Sequence, residues 1–95
     1  MLFLGIAHFK RHSESEHARL KSAFTDHMAQ PLNPRIKLAG AILDDAGAQA
    51  GLFMILETKS IETARNYLAA SPYLASGLYA SAELKAVELE VGHLL

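Results

Sequence analysis

The sequence predicts an α+β fold of the ferredoxin-like kind, in which two helices cover one face of a four-stranded antiparallel sheet. Three observations support this prediction: apolar stretches with strand-like alternation, helical stripes that begin at capping residues, and the order strand, helix, strand, strand, helix, strand. A length of 95 residues suits one domain, so residues 1–95 are expected to form a single α+β unit.

The first strand and the first helix are marked by an apolar run followed by a capping signal. Leu2–Phe9 is apolar on both faces and is typical of a strand. Ser13 and Glu16 have the spacing of a capping box, and Pro31 predicts that the helix ends near Gln30. The stripe of this helix consists of His17, Leu20, Phe24, His27 and Met28.

The middle of the chain predicts a hairpin. Arg35–Leu43 alternates as a strand does, and Gly51–Thr58 is the next apolar strand. Asp44–Gly47 between them is a turn signal. One face of the first of these strands is expected to carry Ile36, Leu38, Gly40 and Ile42.

A second helix and a last strand complete the pattern. Ser60 is a suitable N-cap, and Pro72 ends the helix because the residue before proline avoids the helical region. Tyr73–Tyr79 is expected to be irregular, and Leu84–Val91 is expected to be a strand with a bulge at the Ala86–Val87 step. The helical stripe consists of Ile61, Ala64 and Leu68.

In this arrangement the second face of the sheet has no helix to cover it. We expect that face to carry Phe3, Phe9, Phe53 and Ile55, an apolar patch larger than monomers usually expose. Hydrophobic residues make up 51% of the chain. A second copy packed face to face would cover the patch, so the pattern predicts a homodimer and leaves further assembly open.

Composition excludes several classes of function. The chain has no cysteine, which excludes disulfides, thiolate catalysis and Cys-based zinc sites. The formal net charge is −1, and the basic residues are spread along the chain, which argues against nucleic-acid binding. We find no span of membrane length and no signal peptide, so the expected location is the cytoplasm.

Neither a metal nor a nucleotide cofactor is predicted. His8 and His12 flank a strand end, and His17 and His27 are too far apart along the helix to share one ion. There is no phosphate-binding glycine loop. RNA-binding modules can share this topology, but the strand Gly51–Glu57 lacks the basic and paired aromatic residues that such modules use.

Three segments resemble the YciI-like (YCII-related) family. Leu38–Ala41 followed by an acidic turn resembles its alanine-glycine strand, and Ser60–Ala64 resembles its S-x-E-x-A helix opening. Ser71–Tyr79 is similar to its D-P-Y-x-x-A-G-L-Y segment. The resemblance implies the dimeric α+β barrel fold. It also implies small-molecule chemistry, since at least one member eliminates hydrogen chloride from a chlorinated hydroxyquinol.

The resemblance implies a site as well. His27 is the match to the helix-one histidine of the family, and Ser71 stands where the family has the aspartate paired with it. Tyr73, Asp44 and Gly40 are the candidate substrate-binding residues. A serine cannot orient a histidine as an anion does, so this replacement bears directly on whether the chain is catalytic.

Two functions of different classes follow. The first is a YciI-like enzyme in which His27 transfers a proton, in an elimination or isomerisation, on a small phenolic or carbonyl compound. The alternative is a non-catalytic dimeric module that binds a ligand or supports another protein. In that alternative the partly positive imidazole of His27 only stabilises the partly negative C-terminal end of its helix. Ser71–Tyr73 then only ends the second helix.

Overall fold

The computed structural model of the protein describes residues 1–12, 14–29 and 34–92. The elements are β1 (Leu2–Phe9), α1 (Glu14–Ala29), β2 (Arg35–Leu43), β3 (Gln49–Glu57), α2 (Ile61–Ala69), α3 (Pro72–Ala75) and β4 (Tyr79–Val87). The sheet is antiparallel in the order β2-β3-β1-β4, which confirms the predicted ferredoxin-like fold. Within these ranges, no helix has the length and apolar character needed to cross a bilayer. The predicted cap Ser13 and the predicted helix end at Gln30 and Pro31 lie outside the described residues.

The start of α2 follows from its capping residue. Ser60 is extended, with φ −133° and ψ 132°, and its side chain accepts a hydrogen bond from the backbone N–H of Glu62. This bond satisfies one of the N–H groups that have no partner inside the helix. The predicted N-cap is therefore confirmed.

The core lies between the helices and one face of the sheet. Phe3 of β1 lies opposite Leu56 of β3, and both are buried in one cluster with Ala64 of α2. The expectation that Phe3 belongs to the uncovered face is therefore wrong. Gly5 on the same face explains why this face of β1 is turned toward the helices, because a Cβ there would lie only 3.2 Å from Cδ1 of Leu68. The absence of a side chain lets α2 approach this face of β1.

The opposite face of the sheet carries a continuous apolar group in its centre. Leu4 lies across from Ile55, and Ile6 lies across from Phe53, so the four side chains are neighbours on one surface. Each is only partly exposed in the single chain. The prediction for Phe53 and Ile55 is confirmed. We call these four residues the open-face patch.

β2 changes face part-way along its length. The register with β3 shifts between Ile36 and Leu38, which leaves Lys37 as an extra residue. Ile36 therefore pairs with Leu56 on the helix side, while Leu38 pairs with Ile55 on the open side. The expectation that Ile36 shares a face with the later apolar positions of β2 is wrong because of this bulge.

The C-terminal third of the chain also differs from the prediction. Residues 72–75 form the short helix α3, where an irregular segment was expected. β4 covers Tyr79–Val87, so it begins earlier and ends earlier than predicted. Its register with β1 is regular through Ala86 and Val87, and the shift occurs at the other end, between His8 and Phe9 of β1. The alternating residues 88–91 lie beyond the strand.

Gly51 on β3 is a position where any side chain should destabilise the fold. A Cβ at Gly51 would run into the backbone carbonyl oxygen of Ala7. Backbone cannot move aside as a flexible side chain can, so we expect Gly51→Ala to lower the free energy of unfolding by about 3 kcal/mol. Urea unfolding followed by circular dichroism, at one fixed protein concentration, measures this loss.

Gly47→Ala is the matched control for that substitution. Gly47 has φ 84°, but a Cβ there would have no neighbour within 4 Å. Gly47→Ala should therefore lose only the free energy needed to place alanine in the left-handed backbone conformation, which is about 1–2 kcal/mol. Equal losses in the two variants would contradict the steric explanation for Gly51.

Candidate active site

Two cavities lie between α1 and the sheet, one on each side of Phe24. The α2 cavity has a volume of about 220 Å³, and its lining includes Leu68 of α2, Ser71 before α3 and Tyr79 of β4. The β2 cavity has a volume of about 330 Å³ and is lined by residues that include His17 and Tyr73, together with Gly40 of β2. Phe24, Leu52 and Met54 line both cavities.

A pair of stacked aromatic rings lines the β2 cavity. The centroids of Phe24 and Tyr73 are 4.2 Å apart and their planes differ by 12°. Tyr73 is 2% exposed, so it is part of the core as well as of the wall. Pro72 begins α3 and so places this tyrosine directly beneath α1.

His17 stands at the aromatic end of the β2 cavity. Its ring centroid lies 4.7 Å from that of Phe9 and 5.3 Å from that of Tyr73, to which it is edge-on. Phe9, which was expected on the uncovered face, is therefore a helix-side residue. Its contacts with α1 and α3 turn its ring away from the open-face patch.

The environment keeps His17 neutral. Burial lowers the pKa of its imidazole below the ordinary value, and the positive charge of Lys21 lowers the pKa further. Neither ring nitrogen forms a hydrogen bond with a residue of the described ranges. A neutral imidazole with both nitrogens available can accept a proton from a molecule in the cavity.

His27 is held by α2 rather than directed to a partner in a site. Its Nε2 lies 3.0 Å from the carbonyl oxygen of Tyr67 and must donate to it, since a carbonyl can only accept. The Tyr67 hydroxyl donates in return to the carbonyl of His27 at 3.3 Å, and the two rings stack at 4.3 Å. His27 lines the α2 cavity, but these contacts fasten the end of α1 to α2.

We therefore expect His27→Ala to cost about 1–3 kcal/mol of folding free energy. One hydrogen bond and one aromatic contact are lost, each worth about 0.5–1.5 kcal/mol. Urea unfolding measures the difference, and Asp26→Ala, an exposed α1 neighbour, is the control with a change below about 0.5 kcal/mol. A His27→Ala variant as stable as the wild type would show that the contacts with Tyr67 do not contribute to the folding free energy.

Ser71 has an unusual position at the junction of α2 and α3. Its backbone groups are satisfied, since the N–H donates to the Leu68 carbonyl and the carbonyl accepts from the Ala75 N–H. Its side chain caps neither helix, because the extended backbone before Pro72 directs it elsewhere. Ser71 is 3% exposed, and its hydroxyl forms no hydrogen bond with the described residues.

Tyr79 is a polar neighbour of that hydroxyl. Burial raises the pKa of the Tyr79 phenol to about 12, while the neighbouring Ser71 hydroxyl acts to lower that pKa and Tyr73 acts to raise it. The Ser71 hydroxyl therefore lies beside the Tyr79 phenol in the lining of the α2 cavity. The polar end of the α2 cavity is therefore neutral at physiological pH.

The remaining predicted site residues have different positions. Gly40 lines the β2 cavity, and the ring of Phe53 covers its other side so closely that a Cβ would lie 2.7 Å from the ring. Asp44 lies in the β2–β3 turn, where its carboxylate accepts from the N–H groups of Ala46 and Ala48. The described residues that line the two cavities do not include Asp44.

The structure thus brings Tyr73 and Gly40 together with a histidine that the prediction did not choose. His17 and His27 share one helical stripe on either side of Phe24, and the sequence does not show that α3 packs near the first of them. The sequence did contain one signal for His17 as a cavity residue: it lies seven residues before Phe24 and so on the same face of the helix. Among the described residues no group of three or more acidic or histidine side chains could hold a metal ion.

Comparison with known proteins gives the family. The model of the YCII-related domain matches residues 1–88, which is nearly the whole chain. The chain belongs to the YCII-related domain family. This membership confirms the resemblance found in the Ser71–Tyr79 segment. No protein with a curated description matches the chain.

Solved structures agree on the fold of this YCII-related chain. One is the 5-chloro-2-hydroxyhydroquinone dehydrochlorinase of Burkholderia phenoliruptrix AC1100, in complex with 2,5-dihydroxybenzoquinone. It has a TM-score of 0.82 and 22% identity, over 93% of this chain and 94% of that chain. A NIPSNAP family protein of Agrobacterium tumefaciens has a TM-score of 0.53 and 17% identity, over 88% and 87% of the two chains. At these identities the likeness shows the fold alone.

Proposed function

We propose that this YCII-related chain is an enzyme that transfers a proton on a small phenolic or carbonyl compound bound in the β2 cavity, with His17 as the group that accepts the proton. The observation that carries the proposal is a neutral imidazole, bonded to none of the described residues, in the lining of a cavity of about 330 Å³ beside aromatic rings. The size falls at the small end of pockets that hold small molecules.

The walls of the β2 cavity suit a flat ring. Tyr73 and Phe9 form aromatic surfaces next to His17, and Met54 and Leu52 form an apolar floor. Lys21, also in the lining, is placed to attract the negative charge that develops on an oxygen when its proton leaves. A phenolic or carbonyl compound combines the flat ring with an oxygen of that kind.

The reaction class follows from what one neutral histidine can do. His17 takes a proton from a ring hydroxyl or from a carbon next to a carbonyl, and the electron pair stays on the substrate. Return of the proton to another atom gives an isomerisation, and departure of an anionic leaving group gives an elimination. The fold similarity to a dehydrochlorinase in complex with 2,5-dihydroxybenzoquinone supports this class.

The residues chosen from the sequence have supporting places in this proposal. Tyr73 forms a wall beside His17, and Gly40 contributes backbone to the lining, since a side chain there would point to the opposite face, into the ring of Phe53. We assign His27 to the attachment of α1 and not to proton transfer, because its Nε2 is already bonded to Tyr67. Asp44 has no role in the proposed reaction, because its carboxylate accepts hydrogen bonds within the β2–β3 turn.

The test uses the compounds of the structural neighbour as probes. We expect 2,5-dihydroxybenzoquinone to bind, followed by its visible absorbance, and 5-chloro-2-hydroxyhydroquinone to release chloride. Shifts in the NMR spectrum should centre on His17 and Tyr73. Binding without turnover of any chlorinated or unchlorinated hydroxyquinol would favour the non-catalytic ligand-binding module instead.

The pH dependence of that activity should reflect the depressed pKa of His17. A base must be deprotonated to act, so kcat/KM should fall only as the pH drops below the ordinary histidine value near 6.5. Lys21→Gln removes the smaller of the two causes of the depression, and the acid limb should then move to higher pH. An acid limb that lies above 6.5 in the wild type would contradict the assignment to His17.

We also propose that two copies pack through their open-face patches. Leu4, Ile6, Phe53 and Ile55 form an apolar centre, and Glu83 and Lys85 of β4 lie beside it as a polar border. An apolar centre with a polar rim is the usual anatomy of a protein interface. The cytoplasmic location expected from the sequence stays a prediction.

A further inference from the structure

The lining of the β2 cavity carries charge of one sign only. The chain has ten acidic residues, yet among the described residues none of them lines this cavity, and Lys21 is the charged residue that does. The other polar residues of the lining, which include Thr25, Gln49 and the neutral His17, add no charge. A molecule in the cavity therefore meets a positive group and no acidic one.

Lys21 is available to a ligand at the mouth of the cavity. It is an exposed residue of the lining, and within the described part of the chain it forms no salt bridge. It follows His17 by four positions, so the two side chains leave the same face of α1 with their Cβ atoms about 5–6 Å apart. The ammonium and the imidazole can therefore act on neighbouring parts of one bound molecule.

We propose that the molecule bound in the β2 cavity carries a carboxylate close to the atom that loses its proton, and that Lys21 selects this anionic group at the mouth of the cavity. This inference rests on the function proposed above for the location of the ligand, but it does not require that a proton be transferred. It narrows the class of substrate from phenolic or carbonyl compounds in general to those that also carry a negative charge.

The division of the lining into an apolar interior and a charged mouth sets the orientation of the molecule. Met54 is buried, and Phe24 and Leu52 are half-buried. A carboxylate placed among these side chains would lose its hydration and find no partner, whereas at the mouth it keeps water and meets Lys21. The ring therefore occupies the interior, and the carboxylate lies about one helical turn from His17.

A bound carboxylate also changes the basicity of His17. In the free chain, burial and then the positive charge of Lys21 lower the pKa of the imidazole. A carboxylate beside Lys21 offsets part of that charge and favours the protonated imidazole, so the pKa of His17 should rise when an anionic molecule binds. A neutral molecule of the same shape should not have this effect.

Benzoate and benzamide test the charge preference, because they have nearly the same shape and differ in charge. Each compound is titrated into the complete chain and followed by the NMR signals of Lys21, His17 and Tyr73. We expect benzoate to bind about two- to fivefold more tightly, the usual effect of one exposed ion pair. The difference should shrink as salt is added. Benzoate, and not benzamide, should raise the pKa of His17.

Substitutions of Lys21 assign the preference to this side chain. Lys21→Gln should bind the two compounds equally, Lys21→Glu should prefer benzamide, and Lys21→Arg should keep the preference for benzoate. Lys59→Gln is the matched control, because it removes the same charge from an exposed lysine that does not line the β2 cavity. The control should bind both compounds as the wild type does.

The results that contradict this inference differ from those that contradict the enzyme. Equal binding of benzoate and benzamide to the wild type, or a preference that survives in Lys21→Gln, would overturn the role of Lys21 and leave the proton transfer as proposed. A chain that binds benzoate through Lys21 but turns over neither hydroxyquinols nor their carboxylated counterparts would overturn the enzyme and leave the charge preference in place. If neither compound shifted the signals of His17 and Tyr73, the β2 cavity would not be the ligand site, and both proposals would fall.

Discussion

His17→Gln is expected to lower kcat/KM for the proposed proton transfer by a factor of about 100 to 10,000. Glutamine keeps the polar character and most of the size of the side chain, but it has no nitrogen that can take up a proton. Tyr73 and Phe9 should still form the walls of the β2 cavity, because their contacts do not depend on basicity. Substrate binding should therefore weaken far less than turnover. Steady-state kinetics with separate kcat and KM values measures the difference.

His27→Gln is the matched control for that prediction. It makes the same change in the same helix, ten positions later, at a residue bonded to the Tyr67 carbonyl. We expect it to cost stability and to keep most of the activity. The reverse pattern, an active His17→Gln and an inactive His27→Gln, would move the proposed site from the β2 cavity to the α2 cavity.

Phe53→Asp is expected to convert the proposed dimer to single chains. Phe53 lies in the centre of the open-face patch, where a second copy would remove the new carboxylate from water. A two-fold interface contains the change twice, so we expect the dimer dissociation constant to rise at least about a hundredfold. Sedimentation equilibrium at several concentrations measures this constant.

Phe53→Leu is the control, because it keeps the patch apolar while reducing its area. It should remain a dimer with a modest increase in the dissociation constant. Circular dichroism shows whether Phe53→Asp still folds. If it does not, Ile55→Lys tests the same surface from the next open-side position of β3. A wild-type chain that sediments as a monomer at micromolar concentration would refute the dimer.

The order of the elements could be predicted because each has a local signal. Ser60 caps α2 with its own hydroxyl, and Pro72 follows the end of that helix at Ala69, as predicted. The direction of β1 could not be predicted, since both of its faces are apolar and only the approach of α2 to Gly5 decides between them. The bulge at Lys37 has no glycine or proline to announce it. Its cause lies in the pairing with β3, which is not local.

The candidate site was predictable to a smaller extent. Tyr73 and Gly40 belong to the segments that resemble the family, and the structure places both at the β2 cavity. His17 was missed because it shares a helical stripe with His27, and the choice depends on which helix packs against each end of α1. Asp44 was a natural turn residue, and its carboxylate is used within that turn.

The two cavities beneath α1 have a consequence for heat stability, because a molecule that binds only the folded chain stabilises that chain against unfolding. A ligand present at a hundred times its dissociation constant adds about 2.7 kcal/mol. In a chain of 95 residues that gain should raise the Tm by roughly 10 °C or more, so melting curves could rank compounds before any reaction is known.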